Sequence, residues 1–257
     1  MSVLDPLARI RAEQPLLHCI SNIVTANDCA NLGLAVGASP MMAQDPQEVA
    51  EIAEQSGAVV LNTGTPDEDK FTAATLAGRA ANAAGVPVVL DPVGVGASSW
   101  RLQRIRTLLE TVCPDILRVN YGEAAALLGS RAAGHGVDSM QMPDDAETRA
   151  AILAQQLHCV VLLSGTEDII TDGEELRRMA GGSDLMRSVT GAGCMLSVLC
   201  GAFASVQPDD PMNAACQASR FWKLCAARAE VAAAGAASFR VSLLDTAGRL
   251  TDADLNG

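Results

Sequence analysis

Short apolar runs alternate with amphipathic segments along most of this 257-residue chain, and this alternation restricts the possible folds more than any other feature. Buried parallel strands appear as continuous apolar runs, whereas helices that cross over between them repeat every 3.6 residues. The pattern predicts an α/β protein with a mostly parallel central sheet covered by helices on both faces. A chain of this length can bury a substantial core, so we interpret residues 1–257 as one domain.

The apolar runs predict five core strands followed by an antiparallel pair, at residues 16–20, 58–61, 86–90, 116–119, 160–163, 167–171 and 174–179. The dipeptide Asp172-Gly173 is typical of the tight turn that joins such a pair. Helices are expected near residues 24–36, 46–56, 67–84, 99–112, 121–129 and 144–157, with three more between residues 191 and 248. The polar stretch 130–145 is the best candidate for a mobile surface loop.

The composition excludes several classes of protein. The chain has 18 Lys and Arg against 30 Asp and Glu, a formal net charge of -12, whereas nucleic acids are held by dense basic surfaces. No long apolar span or charged-then-apolar leader occurs, so we expect a cytoplasmic protein that does not enter membranes. The eight cysteines lack metal-ligand spacing and are expected to be reduced, mostly buried side chains.

Polar clusters follow the predicted strands at their carboxyl ends. They are Ser21-Asn22, residues 62–65, residues 91–96, and residues 118–120 with Glu123, while Ser164-Gly165 ends a further strand. In open parallel sheets, ligands bind beyond this edge, so several converging clusters predict a site there. Asp91 directly follows a predicted strand, and an acidic residue in that position favours metal binding, so Asp91 is a candidate metal ligand.

Two glycines open a helix that is too apolar to be anything but buried. Gly191 and Gly193 lie where the first helical turn leaves free N–H groups and a positive dipole end, which together attract phosphate. Cys194 adds a side chain that could act as a nucleophile or a base at the same position. The P-loop motif is absent, and neither lysine, Lys70 or Lys223, lies in a glycine loop. A bound phosphate is therefore expected to contact arginine, backbone amides or a metal ion.

Six motifs then follow one another in order: LHCISNIVTAN (17–27), GASPMMA (37–43), LNTGT (61–65), GVPVVLDPVGVGA (85–97), GVDS (136–139) and VTGAGC (189–194). Together they resemble the hydroxyethylthiazole kinase family. The resemblance implies a ribokinase-like fold and a kinase that uses ATP and Mg²⁺. It would phosphorylate the primary alcohol of 4-methyl-5-(2-hydroxyethyl)thiazole in thiamine salvage. It also implies a homotrimer whose active sites lie between subunits.

The resemblance further implies roles on the acceptor side of the site. Met42 would contact the thiazole, and Asn22 and Val24 would line its pocket. Gly191 would lie beside the substrate. Cys194 would stand where related kinases of the wider fold carry a catalytic aspartate, so it is the candidate catalytic residue.

On the nucleotide side, the same resemblance implies that Arg118, Asn120 and Ser164 contact ATP, with Ser164 in the place of the usual threonine. Asp91 and Glu123 would serve Mg²⁺ and the phosphates. All of these residues except Glu123 stand in or directly beside the ends of predicted strands.

The chain departs from the family pattern at two places near these residues. Val119 stands where the family usually has glycine, and Tyr121-Gly122 stands where it usually has an Ala- and Ser-like pair. A branched side chain at 119 is expected to narrow or shift the ATP site. Residues 235–239 also differ from the usual Gly-Pro-Gly-Ser-Phe. Three alternatives stay open on this basis: a kinase of another small heterocyclic alcohol, an ATP-dependent hydrate lyase, and a non-catalytic ligand sensor.

Overall fold

The computed structural model describes residues 5–129 and 145–256 of the chain. Its eight strands are β1 Leu16–Ile20, β2 Ser39–Met41, β3 Ala58–Asn62, β4 Val88–Asp91, β5 Ile116–Asn120, β6 Val160–Ser164, β7 Asp168–Thr171 and β8 Leu176–Met179. They form one sheet in the order β2-β1-β3-β4-β5-β6-β7-β8. All neighbours are parallel except the pairs that involve β7, which are antiparallel. The mostly parallel sheet is thus confirmed.

The α-helices of the described residues are α1 Pro6–Glu13, α2 Ala26–Val36, α3 Val49–Glu54, α4 Glu68–Ala84, α5 Ser99–Leu109, α6 Tyr121–Leu127, α7 Ala146–Leu157, α8 Ala192–Ser205, α9 Pro211–Ala232, α10 Ala236–Arg249 and α11 Asp252–Asn256. Short 3-10 helices occur at Val95–Ala97 and Asp184–Ser188. Over residues 5–129 and 145–256, no helix is long and apolar enough to cross a membrane.

Side chains on alternate strand positions point to opposite faces of the sheet, and each face is covered by its own set of helices. On one face, Val60 and Ile116 pack in a cluster with buried side chains of α1, α2, α8, α9 and α10. On the other face, Leu61 and Leu117 pack with side chains of α3, α4, α5, α6 and α7. The prediction of helices on both faces is confirmed.

Three short elements were not predicted from the sequence: β2, α1 and α11. Strand β2 consists of three residues and contains Pro40, so it shows no apolar run and is typical of a sheet edge. It pairs in parallel with β1, with Ser39 opposite Leu16 and Met41 opposite His18. The predicted loop at 130–145 lies outside the described residues except for its last residue.

The cysteines behave as small apolar side chains, as predicted. All eight are free thiols; seven are buried, and Cys113 is exposed. Six of the buried ones belong to the cluster on the α8 face of the sheet, and Cys159 belongs to the cluster on the opposite face.

Candidate active site

Asn22 is the centre of a polar network that follows β1. Its Nδ2 donates to Asn62 Oδ1 at 3.0 Å and to Cys194 Sγ at 3.4 Å. Its Oδ1 accepts from the amides of Val24 and Thr25, both at 3.1 Å. Because the side chain is 4% exposed and bonded on both sides, it has one orientation. The fold therefore brings two of the predicted residues, Asn22 and Cys194, into contact.

Asp91 lies fully buried at the end of β4 and bonds to three side chains. Its Oδ2 accepts from Asn62 Nδ2 at 2.9 Å and from Ser197 Oγ at 2.8 Å, and Arg118 Nη1 lies 3.4 Å from Oδ1. Burial raises the pKa of Asp91, and the Arg118 charge is the strongest opposing effect. Sequence analysis missed Ser197, although a serine inside the apolar α8 was a usable signal.

Arg118 connects this network to the start of α8. Its Nη2 donates to Ser164 Oγ at 2.6 Å, and its guanidinium lies against Gly193 so closely that a Cβ there would overlap it. A cation next to a helix N-terminus is electrostatically unfavourable, so the contacts with Asp91 and Ser164 must hold it there. Its Nε is buried and has no partner among the described residues. A bound anion would satisfy both this atom and the helix dipole.

Gly191 allows the loop after β1 to approach α8. Its φ of +85° is a left-handed conformation, and a Cβ on it would overlap the Thr25 side chain. Only glycine meets both conditions without strain. The space that the glycine pair leaves is thus used in part by protein side chains, Thr25 at Gly191 and Arg118 at Gly193, and not by a ligand alone.

Glu123 joins the first turn of α6 to the loop after β4. It forms a capping box with Asn120, in which Asn120 Oδ1 accepts from the Glu123 amide and Glu123 Oε2 accepts from the Asn120 amide, both at 2.9 Å. Its Oε1 accepts from the Gly94 amide at 2.8 Å. Burial raises the pKa of Glu123 to about 7, opposed by the Arg118 charge and reinforced by the charge of Asp91.

Asp91 and Glu123 are the candidate residues for holding a metal ion. Residues 5–129 and 145–256 contain no group of three His, Cys, Asp or Glu side chains that could form a complete metal site. Mg²⁺, however, keeps most of its water and is typically bound by one or two carboxylates together with substrate phosphates. Asp91 and Glu123 have Arg118 as a nearby cation, and the charge of Asp91 adds to the effect of burial in raising the pKa of Glu123. The donor chemistry therefore fits a hydrated Mg²⁺.

A cavity of about 520 Å³ opens on the other side of Arg118, a size within the usual range for small-molecule and cofactor sites. Its walls include Asn120 and Ser164, so all three residues predicted to contact ATP line one cavity. It also contains two cations that sequence analysis did not place at the site, Arg187 and Lys223.

The two additional cations differ in how they are paired. Lys223 Nζ lies 3.2 Å from Asp168 Oδ1 and donates to the carbonyls of Gly165 and Thr166, so its charge is largely used within the protein. Arg187 has a longer contact, 3.7 Å, with Asp184, whose side chain is 90% exposed. Among the described residues, Arg118 is therefore one of three cations that line the cavity on the nucleotide side.

Comparison with known proteins agrees with this arrangement. The model described as the hydroxyethylthiazole kinase family matches residues 7–253. The chain is 43% identical to a protein named hydroxyethylthiazole kinase from Herpetosiphon aurantiacus over 98% of this chain and 92% of that protein. The chain belongs to the hydroxyethylthiazole kinase family.

Solved structures support the fold as well. A hydroxyethylthiazole kinase from Pyrococcus horikoshii OT3 superposes with a TM-score of 0.89 at 34% identity, over 98% of this chain and 94% of that one. A ribokinase-like superfamily protein from Enterococcus faecalis superposes with a TM-score of 0.64 at 10% identity, over 93% of this chain and 89% of that one, a likeness of fold alone. The ribokinase-like fold is confirmed.

Two further residues predicted from the hydroxyethylthiazole kinase motifs lie near the β2 edge of the sheet, away from the cavity beside Arg118. Met42 directly follows β2 and packs, half-buried, against the apolar cluster of the α8 face. Val24 is 61% exposed in the loop after β1. The GVDS motif at 136–139 lies outside the described residues.

The expected effect of Val119 on the nucleotide side is not what the structure shows. Val119 is fully buried in the cluster on the sheet face opposite Arg118, and its side chain does not line the cavity. Only its carbonyl oxygen takes part, accepting from Ser164 Oγ at 3.3 Å. Neighbouring strand residues point to opposite faces, so a branched side chain at 119 does not enter the space beside Arg118.

Proposed function

We propose that this protein transfers the γ-phosphoryl group of ATP to the primary alcohol of hydroxyethylthiazole, as the name of its family indicates. The observation that carries this proposal is the position of the α8 start. On one side of it lies a cavity of nucleotide size, and on the other lies the polar network of Asn22, Asn62 and Cys194. A phosphoryl group at this helix end would lie between its donor and its acceptor.

On the donor side, Arg118, Asn120 and Ser164 would contact ATP. Phosphoryl transfer passes through a loose transition state, so catalysis depends mainly on positioning and on neutralising charge. The unpartnered Nε of Arg118 and the free amides at the start of α8 are the groups suited to the second task. Asp91 and Glu123 would hold a hydrated Mg²⁺, which neutralises phosphate charge when bound.

On the acceptor side, Met42, Val24 and Gly191 would surround the thiazole ring, and Cys194 would face its alcohol. Burial raises the pKa of Cys194, the charge of Asp91 adds to this effect, and Arg118 opposes it. The thiol therefore keeps its proton at neutral pH and is a poor general base. A loose transition state tolerates this, because general-base help contributes only about 10²–10⁴-fold.

The assembly and the location of the enzyme are part of the same proposal. We infer a homotrimer with the acceptor side completed at a subunit interface, since Val24 and Met41, next to the predicted thiazole contacts, expose apolar surface. A cytoplasmic location stays a prediction, as does the interpretation of residues 1–257 as one domain. The hydrate lyase and the ligand sensor are not favoured by the relatives, which are named as kinases.

A coupled assay of ADP release over a panel of heterocyclic alcohols tests the proposal. Hydroxyethylthiazole should stimulate ADP formation. Chelation of Mg²⁺ should abolish the stimulation, because the buried carboxylates of Asp91 and Glu123 would then face the phosphates with only partial compensation from Arg118. The matched control is the thiazole with an ethyl group in place of hydroxyethyl, which should bind without stimulating ADP release.

Two results would contradict this function. Equal rates before and after chelation would remove the role of Mg²⁺ and of its two carboxylates. Stimulation by another alcohol of the panel but by no thiazole would replace the substrate while leaving the fold and the nucleotide side as described.

A further inference from the structure

Lys70 is a buried cation whose partners are neutral oxygens. It lies in the first turn of α4 and is 6% exposed. Its Nζ donates to the carbonyl oxygens of Ser21 and Gly64, both at 2.8 Å, and lies 3.5 Å from Thr65 Oγ1. Burying an ammonium group is costly unless its hydrogen bonds are satisfied, and here two separate loops satisfy them.

The two loops that Lys70 joins follow β1 and β3. They are already in close contact, since a Cβ on Gly64 would lie 2.9 Å from Asn22 Cβ. Thr65 Oγ1 also accepts from the Ile23 amide at 3.2 Å. The backbone of Thr65 has a φ of +44°, an unfavourable value for a β-branched residue that persists only where surrounding contacts hold it. Lys70 supplies contacts of that kind.

These loops carry the residues of the acceptor side. Lys70 bonds to the carbonyl of Ser21, and Asn22 is the next residue. The side-chain Nδ2 of Asn22 donates to Cys194 Sγ. Asn62 bonds both to Asn22 and to the amide of Gly64, whose carbonyl is the second partner of Lys70. One ammonium group thus fixes both peptide segments that set the position of Asn22 relative to Cys194.

We propose that Lys70 is a positioning residue for the phosphoryl acceptor: its ammonium group clamps the loops after β1 and β3 and so holds Asn22 against Cys194. The expected effect of Lys70 on turnover rests on the proposed kinase function, whereas its clamping of the two loops does not. Lys70 does not line the nucleotide cavity beside Arg118, and its ammonium group bonds to protein carbonyl oxygens. Its loss should therefore affect the acceptor side more than the use of ATP.

The test compares Lys70→Met with Asn82→Ala. Methionine keeps the unbranched stem and removes the ammonium group. Asn82 lies near the other end of α4, where its side chain makes two bonds to the backbone of Cys113, at 2.8 and 2.9 Å, remote from the site. Each variant removes two main-chain contacts from the same helix, so a general loss of stability acts in both. Thermal unfolding measures that loss.

We expect Lys70→Met to lower kcat with the thiazole alcohol by about 10²-fold, the scale of a slightly misplaced reactant, while the KM for ATP changes less than about twofold. Hydrogen exchange should quicken at the amides of Ile23 and Gly64. Asn82→Ala should keep kcat within about twofold of the original value and leave exchange at both amides unchanged. If Lys70→Met does not fold, Lys70→Gln, which keeps a neutral donor, takes its place.

Three outcomes would overturn the proposal. Unchanged exchange at both loops would mean that Lys70 does not clamp them. An equal loss of kcat in Asn82→Ala at matched stability would mean that Lys70 acts through the fold as a whole. A raised KM for ATP at unchanged kcat would place its effect on the donor side. The exchange measurement needs no turnover, so it still decides the clamp if the protein phosphorylates no thiazole.

Discussion

Cys194 is the residue whose chemistry differs most from that of a kinase with a carboxylate in the same place. Its thiol is 8% exposed, accepts from Asn22 Nδ2, and stays protonated because burial and the charge of Asp91 raise its pKa. An aspartate is ionised at neutral pH, with an ordinary pKa near about 3.9. The site therefore lacks a strong base, and its rate should depend on positioning by Asn22 and on charge neutralisation by Arg118.

Replacing Cys194 tests this reading at a single position. Cys194→Asp should keep kcat at or above the original value, because a carboxylate is available as a base at neutral pH. Cys194→Ala should lose about 10- to 1,000-fold in kcat and keep the catalysis that comes from positioning and charge neutralisation. Steady-state kinetics, with thermal unfolding of both variants, is the measurement.

The control is Cys200→Ala, which shortens a fully buried thiol further along the same helix, where stability but not turnover should fall. Loss of turnover in both Cys194→Asp and Cys194→Ala would indicate a covalent nucleophile instead. A Cys194→Asp variant that is well folded and inactive would show that a general base at this position does not assist the reaction.

The start of α8 is the element on which both sides of the site depend. Its amides face the donor side, Arg118 lies against Gly193, and Thr25 lies against Gly191. Four residues after Gly193, Ser197 bonds to Asp91, the carboxylate that also holds Arg118. The helix thus fixes Arg118, its counter-charge Asp91 and the glycine turn as one unit. The effects of substitutions within this unit should not be additive.

Gly193→Ala and Arg118→Ala test that coupling. Arg118→Ala should chiefly weaken ATP binding and leave thiazole affinity nearly intact, because arginine here serves the phosphate side. Gly193→Ala should have the same effect, since its methyl group would displace the guanidinium. The double variant should then be about as weak as Arg118→Ala alone. Calorimetry with each ligand measures all three.

Gly248→Ala is the matched control, because it adds a Cβ to a helical glycine of α10 with no atom nearer than 3.8 Å. It should leave both affinities unchanged. If thiazole affinity fell in Arg118→Ala while ATP affinity did not, the assignment of Arg118 to the nucleotide would be wrong. Additive losses in the double variant would mean that Gly193 acts without Arg118.

At the scale of the whole molecule, several large apolar side chains are exposed near the β2 edge of the sheet. Ile23, Val24 and Met41 are 79%, 61% and 42% exposed, and Leu34 of α2 is 61% exposed. Large exposed apolar side chains that occur together commonly mark contact surfaces. Val24 is itself a predicted thiazole contact and Met41 directly precedes Met42, so we expect a second copy of the chain to cover these residues in the proposed homotrimer.

Sedimentation should give a trimer for the unchanged protein and smaller species for Ile23→Lys, which places a charge where another subunit is expected. The thiazole KM should rise in the dissociated variant, since the acceptor side would lose a wall. Val231→Lys is the control, at a side chain that is 89% exposed at the end of α9. A monomer with full activity would refute the shared site.

Local sequence patterns were sufficient for the main elements, because strand and helix periodicity is a property of neighbouring residues. The runs at 16–20 and 160–163 correspond to β1 and β6 within one residue. The hairpin of β7 and β8 contains the predicted Asp172-Gly173, but its loop is two residues longer and β8 begins at Leu176. The carboxyl-edge rule then placed Asn22, Asp91, Arg118 and Ser164 at one edge, since parallel strands end on the same side. Strand β2 escaped prediction because its stability comes from pairing with β1 and not from its own composition.

The pairing of the polar side chains was decided by the tertiary structure alone. Ser197 and Asp91 are 106 residues apart and bond at 2.8 Å, and Lys70 reaches Ser21 across 49 residues. No local sequence pattern distinguishes a lysine that clamps two loops from one that faces solvent. The sequence also does not show why position 193 is glycine. Its lack of a side chain indicates space for a phosphate, and the structure shows that it also makes space for Arg118. Periodicity determines which face a residue occupies, whereas a contact between distant residues depends on how the faces pack together.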